Sequence, residues 1–236
     1  TRKESSAASD VYKRQAVQTV ASDPGVRAVV LCGSGRGFMA GGDLATLRAD
    51  PVQGAIDILT PLNAALQLLA QMNAPVIAQV HGAAAGAGLS LVLMADYVIA
   101  AEGTRFNLAY INLGTTCDVG ASWALPRIVG VRQALEIALL GEASTADDAL
   151  RLGLVNRVVP SAELDSTTAA LAQRLAAGPT LAYGAMKRLM RASMDHTLPE
   201  QLAAEKDAFV HCAGTEDFRA GVEAFHQRQS PQFVGR

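Results

Sequence analysis

The sequence predicts an α/β chain in which a parallel-sheet core, residues 16–140, is followed by a mainly helical region, residues 141–236. Two observations point there. Short β-branched runs alternate with glycine-dense loops and stretches of helical periodicity, and this strand–loop–helix order is that of right-handed parallel α/β units. Half of the 236 residues are hydrophobic but only 5% are aromatic. Ala, Leu and Val therefore fill the interior, which favours helices packed closely on a small sheet over an all-β sandwich.

Residues 1–15 are polar, lack the apolar stretch of a signal peptide, and are left out of the fold reading. Residues 16–22 read as the end of a helix closed by Asp23-Pro24-Gly25. Arg27–Cys32 is a β-branched run of the kind found in buried parallel strands, and Gly33–Asp43 is a glycine-dense loop. Helical periodicity runs from about Val52 to Met72, with Ile56, Leu59, Leu62, Leu66 and Leu69 spaced for one buried face. Pro75 opens a second strand, Val76–Val80, and after His81-Gly82 a small-residue stretch starts a helix reaching Met94. Asp96 leads into a third strand, Tyr97–Ala101. Beyond Ser144 helices are expected at 145–151, 161–177, 179–194, 197–211 and 215–227, interrupted by a short strand, Leu154–Val159.

Composition narrows the function. The net charge is −2 with the two signs interleaved, so the basic stripe of a nucleic-acid binder is missing. Three separated cysteines with no CxxC pair argue against a disulfide framework or structural zinc and for a reducing cytoplasm. The apolar run between His81 and Asp96 is too short to span a bilayer. Gly33-Ser34-Gly35-Arg36-Gly37 lacks dinucleotide-binding spacing, no GK[ST] or HExxH occurs, and Ser90 lacks the flanking glycines of a nucleophile elbow. No metal site is expected.

Two glycine-rich turns remain, Ala40-Gly41-Gly42-Asp43 and Gly86-Ala87-Gly88, each between a strand and a helix. Ligands collect at the carboxyl ends of parallel strands. Two main-chain N–H groups converging from separate loops would make an oxyanion hole. Either loop alone reads as a corner; together they read as a site.

The stretches VRAVVLCGSGRGFMAGGDL (26–44), APVIAQVHGAAAGAGLSLVLMADYVIAAEGTRF (74–106), LLGEASTADDALRLGLVNRVV (139–159) and DFRAGVEAFHQRQSPQF (217–233) resemble the enoyl-CoA hydratase/isomerase (crotonase) family. The resemblance covers about residues 16–236. It implies a spiral of ββα units with a C-terminal helical trimerisation region, and a homotrimer or dimer of trimers acting on acyl-CoA. No cofactor is expected, since CoA enters as part of the thioester. Membrane and nucleic-acid partners are not expected, and the location is cytoplasmic. Carried over by position, Gly42 and Ala87 supply the oxyanion-hole amides, while Phe38, Met39, Ala40, Gly41, Asp43, Leu44 and Gly86 line the substrate. The two glutamates of a typical hydratase fall on Ser90 and Tyr110, so both acids are missing. Ser90 is then expected to leave room for the acyl group, and Tyr110 to shape the pocket.

Asp118 falls where some members carry an active-site aspartate, and this pattern is nearest to the ring-1,2-epoxyphenylacetyl-CoA isomerase branch. The function expected is an acyl-CoA isomerase, of fatty-acid or phenylacetate degradation, that moves a double bond or opens a ring. It forms an enolate with Asp118 as single acid/base, in apolar surroundings from Val119, Trp123 and Leu125. A hydratase or thioester hydrolase of the same family, and a non-catalytic acyl-CoA-binding subunit, are the alternatives. Taken alone, Asp118 would read as the cap of a helix starting at Val119.

Overall fold

The computed structural model describes residues 15–42 and 44–236. Apart from Gln15, the N-terminal segment set aside above lies outside the described residues, as does Asp43. Residues 15–22 form α1. The strands are β1 (Val29–Cys32), β2 (Val76–Val80), β3 (Ala83–Ala85), β4 (Tyr97–Ala101), β5 (Arg105–Asn107), β6 (Ser144–Thr145) and β7 (Arg157–Val159). The intervening helices are α2 (Leu44–Ala49), α3 (Pro51–Gln71), α4 (Ala87–Met94), α5 (Ala121–Val129), α6 (Val131–Leu140) and α7 (Ala146–Arg151). Four helices end the chain: α8 (Leu164–Ala176), α9 (Thr180–Ala192), α10 (Leu198–Ala213) and α11 (Glu216–Gln227).

The strands divide into two sheets. One is fully parallel in the order β1-β2-β4-β7; the other places β5 between β3, its parallel neighbour, and antiparallel β6. Successive turns of the chain give one strand to each sheet and then a helix: β2, β3, α4, then β4, β5, α5. The first turn follows the same rule, because Met39 forms an isolated parallel bridge to Ala84. This is the expected ββα spiral. The sequence reading missed the second sheet, whose strands are two or three residues long. Ala83–Ala85 carries no β-branched residue and had merged with the helix that follows it.

The central strands are apolar on both faces because helices cover both. Ala78, Val80, Val98 and Ala100 join Leu89, Val92 and Leu93 of α4 and Leu125 of α5. Ile99 and Ala101 point the other way, toward Leu164 and Leu171 of α8. β1, expected to be buried, instead ends its sheet and alternates between half-buried and exposed residues. β6 and β7 lie beyond residue 140, where the helical region was expected to begin, yet both pair into the sheets. From Leu164 onward every named element is helical.

Helix α3 starts where Asp50 accepts a hydrogen bond from Gln53 N and Pro51 takes the first turn, a position that needs no N–H. Its buried face is Gly54, Ile58, Ala65, Leu66 and Leu69. Ile56, expected on that face, is 52% exposed, because two residues from Ile58 along a helix lies nearly opposite it. Asp96, at the entry to β4, accepts a bond from Val76 N and pairs with Lys187 at 2.6 Å and Arg191 at 2.7 Å. That cluster ties α9 to the sheet.

The loop after β1 is held against β3 through main-chain atoms. Met39 N donates to Ala83 O, and Ala85 N donates to Met39 O at 2.8 Å. The same Met39 carbonyl lies so near α4 that a Cβ on Gly88 would come within 2.2 Å of it. Gly88→Ala should therefore displace the first loop. The expected loss is about 1–3 kcal/mol of stability, as for overpacked interiors, read by denaturant unfolding. A midpoint equal to wild type would show that the approach is not tight.

Candidate active site

The bridge through Met39 brings the two glycine turns together: a Cβ on Gly86 would lie 3.6 Å from Gly41 Cα. Gly86 itself sits at φ 53, ψ −124, a conformation suited to glycine, and turns the chain from β3 into α4. Its N–H is taken by Asn107 O at 2.9 Å. The next amide, Ala87, is the first of the helix and donates to nothing among the described residues; the same holds for Gly42. Both residues line one cavity of about 580 Å³. Two free N–H groups from different loops, one at the positive end of a helix, suit an oxygen that acquires negative charge.

Asp118 lines the same cavity and is the one carboxylate among its described lining residues. It does not cap a helix. The helix that follows starts at Ala121, its N-cap is Gly120, and no side chain caps it. Only the Asp118 main-chain carbonyl is used there, accepting from Ala121 N. The carboxylate is left for the cavity, and its Oδ1 accepts a hydrogen bond from the Tyr110 hydroxyl. Tyr110 in turn lies 3.0 Å from Ser90 Oγ, which is 3.3 Å from Gly86 O. Ser90, Tyr110 and Asp118, the three positions singled out in the sequence, are thus one connected chain.

Several expectations are corrected. Phe38 and Met39 do not line the cavity; their side chains pack against two hydrophobic clusters, and Met39 acts through its backbone. Ala40, Gly41, Gly42 and Leu44 do line it. Ser90 is 0% exposed, so it adds no open space; the Tyr110 hydroxyl occupies the position beside it. Trp123 does not line the cavity: it is 38% exposed and stacks on Arg127. Val119 and Leu125 are buried but lie outside the lining, where Leu47, Ile58, Leu59 and Leu113 supply the apolar wall instead. Those residues and Arg48 come from α2, α3 and the 3₁₀ turn Tyr110–Leu113. No motif marks them. Leu59 alone among them was singled out in the sequence, and only as part of the buried face of α3. Cys117 also lines the cavity as a free thiol, and no histidine bonds to it among the described residues.

With this geometry in view, the comparisons with known proteins are decisive. The pattern of the enoyl-CoA hydratase/isomerase family matches residues 13–236. The chain belongs to that family. It is 40% identical over 210 residues to a Rhodobacter capsulatus protein named "Probable enoyl-CoA hydratase", covering 89% of this chain and 82% of that one. It is 38% identical over 226 residues to the 1,2-epoxyphenylacetyl-CoA isomerase of Escherichia coli, covering 94% and 86%. Among solved structures, an enoyl-CoA hydratase from Polaromonas sp. JS666 superposes with a TM-score of 0.89 at 33% identity, covering 95% and 88%. The crotonase fold and the resemblance to the epoxyphenylacetyl-CoA branch stand as expected. The relatives' names include both hydratase and isomerase.

For this family member the titration of Asp118 follows from its setting. Burial pushes its pKa above the usual 3.8, while the bond from Tyr110 pulls it down without cancelling the rise. Burial and the bond to Asp118 push the Tyr110 phenol up, so it stays protonated at neutral pH. Because the folded chain holds the Asp118 proton more tightly than the unfolded chain, stability falls as pH rises from the unfolded value through the folded one. Above that window the ionised carboxylate costs stability. Asp118→Asn should therefore melt at a higher temperature than wild type at pH 7, with the difference vanishing below the unfolded pKa. Thermal melts across pH test this, and a variant that melts lower at pH 7 would contradict it.

Proposed function

We propose that this chain is an acyl-CoA isomerase that shifts a double bond, or opens a strained ring, through a thioester enolate, with Asp118 as its single acid/base. The observation that carries the reading is the acid inventory of the cavity. The two positions that hold glutamates in a typical hydratase hold Ser90 and Tyr110, and Asp118 is the one carboxylate in the described lining. Water addition by a glutamate pair has no groups to perform it.

In the proposed mechanism the thioester oxygen lies between the Gly42 and Ala87 N–H groups. Asp118 removes a proton from the acyl carbon chain, the C–H electron pair passes into the enolate, and the two amides stabilise the oxygen that gains charge. Each such donor typically lowers the barrier by about 2.7–4 kcal/mol. The carboxyl then returns the proton to a neighbouring carbon of the extended enolate, which needs little motion. Raising the carboxylate pKa strengthens the base. Arg48, the one cation in the described lining, suits the CoA phosphates. CoA enters as part of the substrate, and the chemistry uses the thioester carbonyl alone. A cytoplasmic location fits the free cysteines, and no helix among the described residues is long and apolar enough to cross a membrane.

We assign the assembly as a homotrimer or a dimer of trimers. Support comes from apolar helix faces left open on one chain: Val131, Leu135 and Leu139 on α6, Met186 and Met190 on α9, and Phe225 on α11 are exposed, and such faces suit burial against further copies.

A second reading, hydration by water held at Asp118, is favoured by the hydratase names among the relatives. Turnover of unsaturated acyl-CoA in heavy-oxygen water separates the two, since isomerisation incorporates no oxygen. Asp118→Asn should keep acyl-CoA binding and lose at least ~100-fold in isomerisation, the lower range for a general acid/base; near-normal turnover would refute the role. Ala87→Pro tests the hole. Proline is tolerated at the first position of a helix, and it removes this one N–H, so kcat should fall about 10²–10³-fold with the fold retained.

A further inference from the structure

The proposed chemistry does not use the Tyr110 hydroxyl, which lines the cavity in contact with the acid itself. A phenol has one hydrogen, and here it goes to Asp118 Oδ1. The contact between Tyr110 and Ser90 at 3.0 Å must then use the Ser90 hydrogen, which the phenol oxygen shares with the more distant Gly86 carbonyl at 3.3 Å. Tyr110 is fixed from both sides, and Ser90 is immobile in the interior at 0% exposure.

The backbone is held on both flanks as well. Ala109, just before Tyr110, has φ 54, and Val119, just after Asp118, has φ 55. Left-handed backbone costs an L residue roughly 1–2 kcal/mol, and a β-branched residue adopts it rarely. Such strain persists only where surrounding packing over-determines it; Val119 is buried against Leu66 and Ala87. The two residues that carry the hydroxyl and the carboxylate are therefore placed by unusual main-chain conformations. A carboxylate otherwise rotates easily about its last torsion, which would exchange its two oxygens. The bond from Tyr110 opposes that rotation; the Asp118 main-chain N–H also bonds the carboxylate, and no second side chain reaches it among the described residues.

We propose that Tyr110, oriented by Ser90, is a positioning residue that reserves Oδ1 of Asp118, so that the other oxygen, Oδ2, both removes and returns the substrate proton. In the first step the C–H bond breaks, its electron pair enters the thioester enolate, and the proton bonds to Oδ2. In the second the Oδ2–H bond breaks, its pair stays on the carboxylate, and the enolate pair forms the new C–H bond. No proton enters the Tyr110–Ser90 pair. The proton on Oδ2 faces the substrate, with rotation toward water opposed, so it is returned before it exchanges.

This rests on Asp118 being the base, and the test separates the two. A 3-enoyl-CoA carrying deuterium on the carbon that loses its proton is converted in light water, and deuterium in the product is measured by mass spectrometry at early turnover. Wild type should carry over a measurable share. Tyr110→Phe keeps the ring and loses the hydroxyl. It should cut the retained share at least ~3-fold and kcat about 10-fold, with KM changed less than ~2-fold, since an interaction used in chemistry lowers kcat while one used for binding raises KM. Ser90→Ala should act in the same direction but less. The double variant should match Tyr110→Phe, because the two hydroxyls act in series. Wild-type retention in Tyr110→Phe, no retention in wild type, or multiplicative losses in the double variant would each overturn the proposal. If Asp118→Asn is inactive while Tyr110→Phe retains deuterium as wild type does, only the positioning role fails. If Asp118→Asn turns over normally, the base assignment itself fails.

Discussion

The site depends on one main-chain contact, that of Met39 with the turn from β3 into α4. Its N–H and carbonyl are both tied to β3, and the carbonyl rests where only a residue without a Cβ could stand at position 88. Everything chemical in the first loop follows from this. Gly41 and Gly42 are carried beside Gly86 and Ala87, and two amides from distant parts of the sequence face one cavity. Main-chain atoms hold the loops, so the side chains of residues 40–42 are free to be small. In the proposed mechanism that smallness lets a thioester approach the amides closely.

The acid is built differently, from conflicts that the packing resolves. Asp118 sits in a setting that disfavours its charge, between a valine in left-handed backbone and a tyrosine that follows an alanine in the same conformation. Each feature costs stability when taken alone. Together they hold a carboxylate at the edge of an apolar cavity, as the proposed base requires. Such trade-offs between stability and activity are expected at functional positions.

The helical region supports this arrangement from behind. Lys187 and Arg191 of α9 close on Asp96, which also accepts the Val76 amide at the start of β2. One partly buried acid thereby ties the two central strands to each other and to α9. Asp217 does the same for the chain end, accepting the amides of Val234 and Gly235 at 2.7 and 2.9 Å. Breaking such partly buried pairs is costly because the remaining charge loses its partner. The outward faces of the helices stay apolar, which suits contact with further copies of the chain.

By itself the sequence determined the β-branched runs that became β2 and β4 with their expected ends, most helix spans, the two glycine turns, and the residues that single out Asp118. These are local matters: periodicity, turn chemistry and the presence or absence of an acid at a position survive without coordinates. The second sheet was not legible, because strands of two or three small residues carry no periodicity and exist only through their partners. Nor was the choice of Ile58 over Ile56 as the residue facing inward, since both fit a helix and only the packing around α3 decides which face is covered. Taken alone, Asp118 reads as a helix cap, and only the family resemblance makes it a cavity acid. Tertiary structure chose between them by starting the helix at Ala121 and placing the Tyr110 hydroxyl on the carboxylate. The pairing of Tyr110 with Ser90 arose the same way: residues twenty positions apart meet because β4 and β5 carry the chain back across the start of α4.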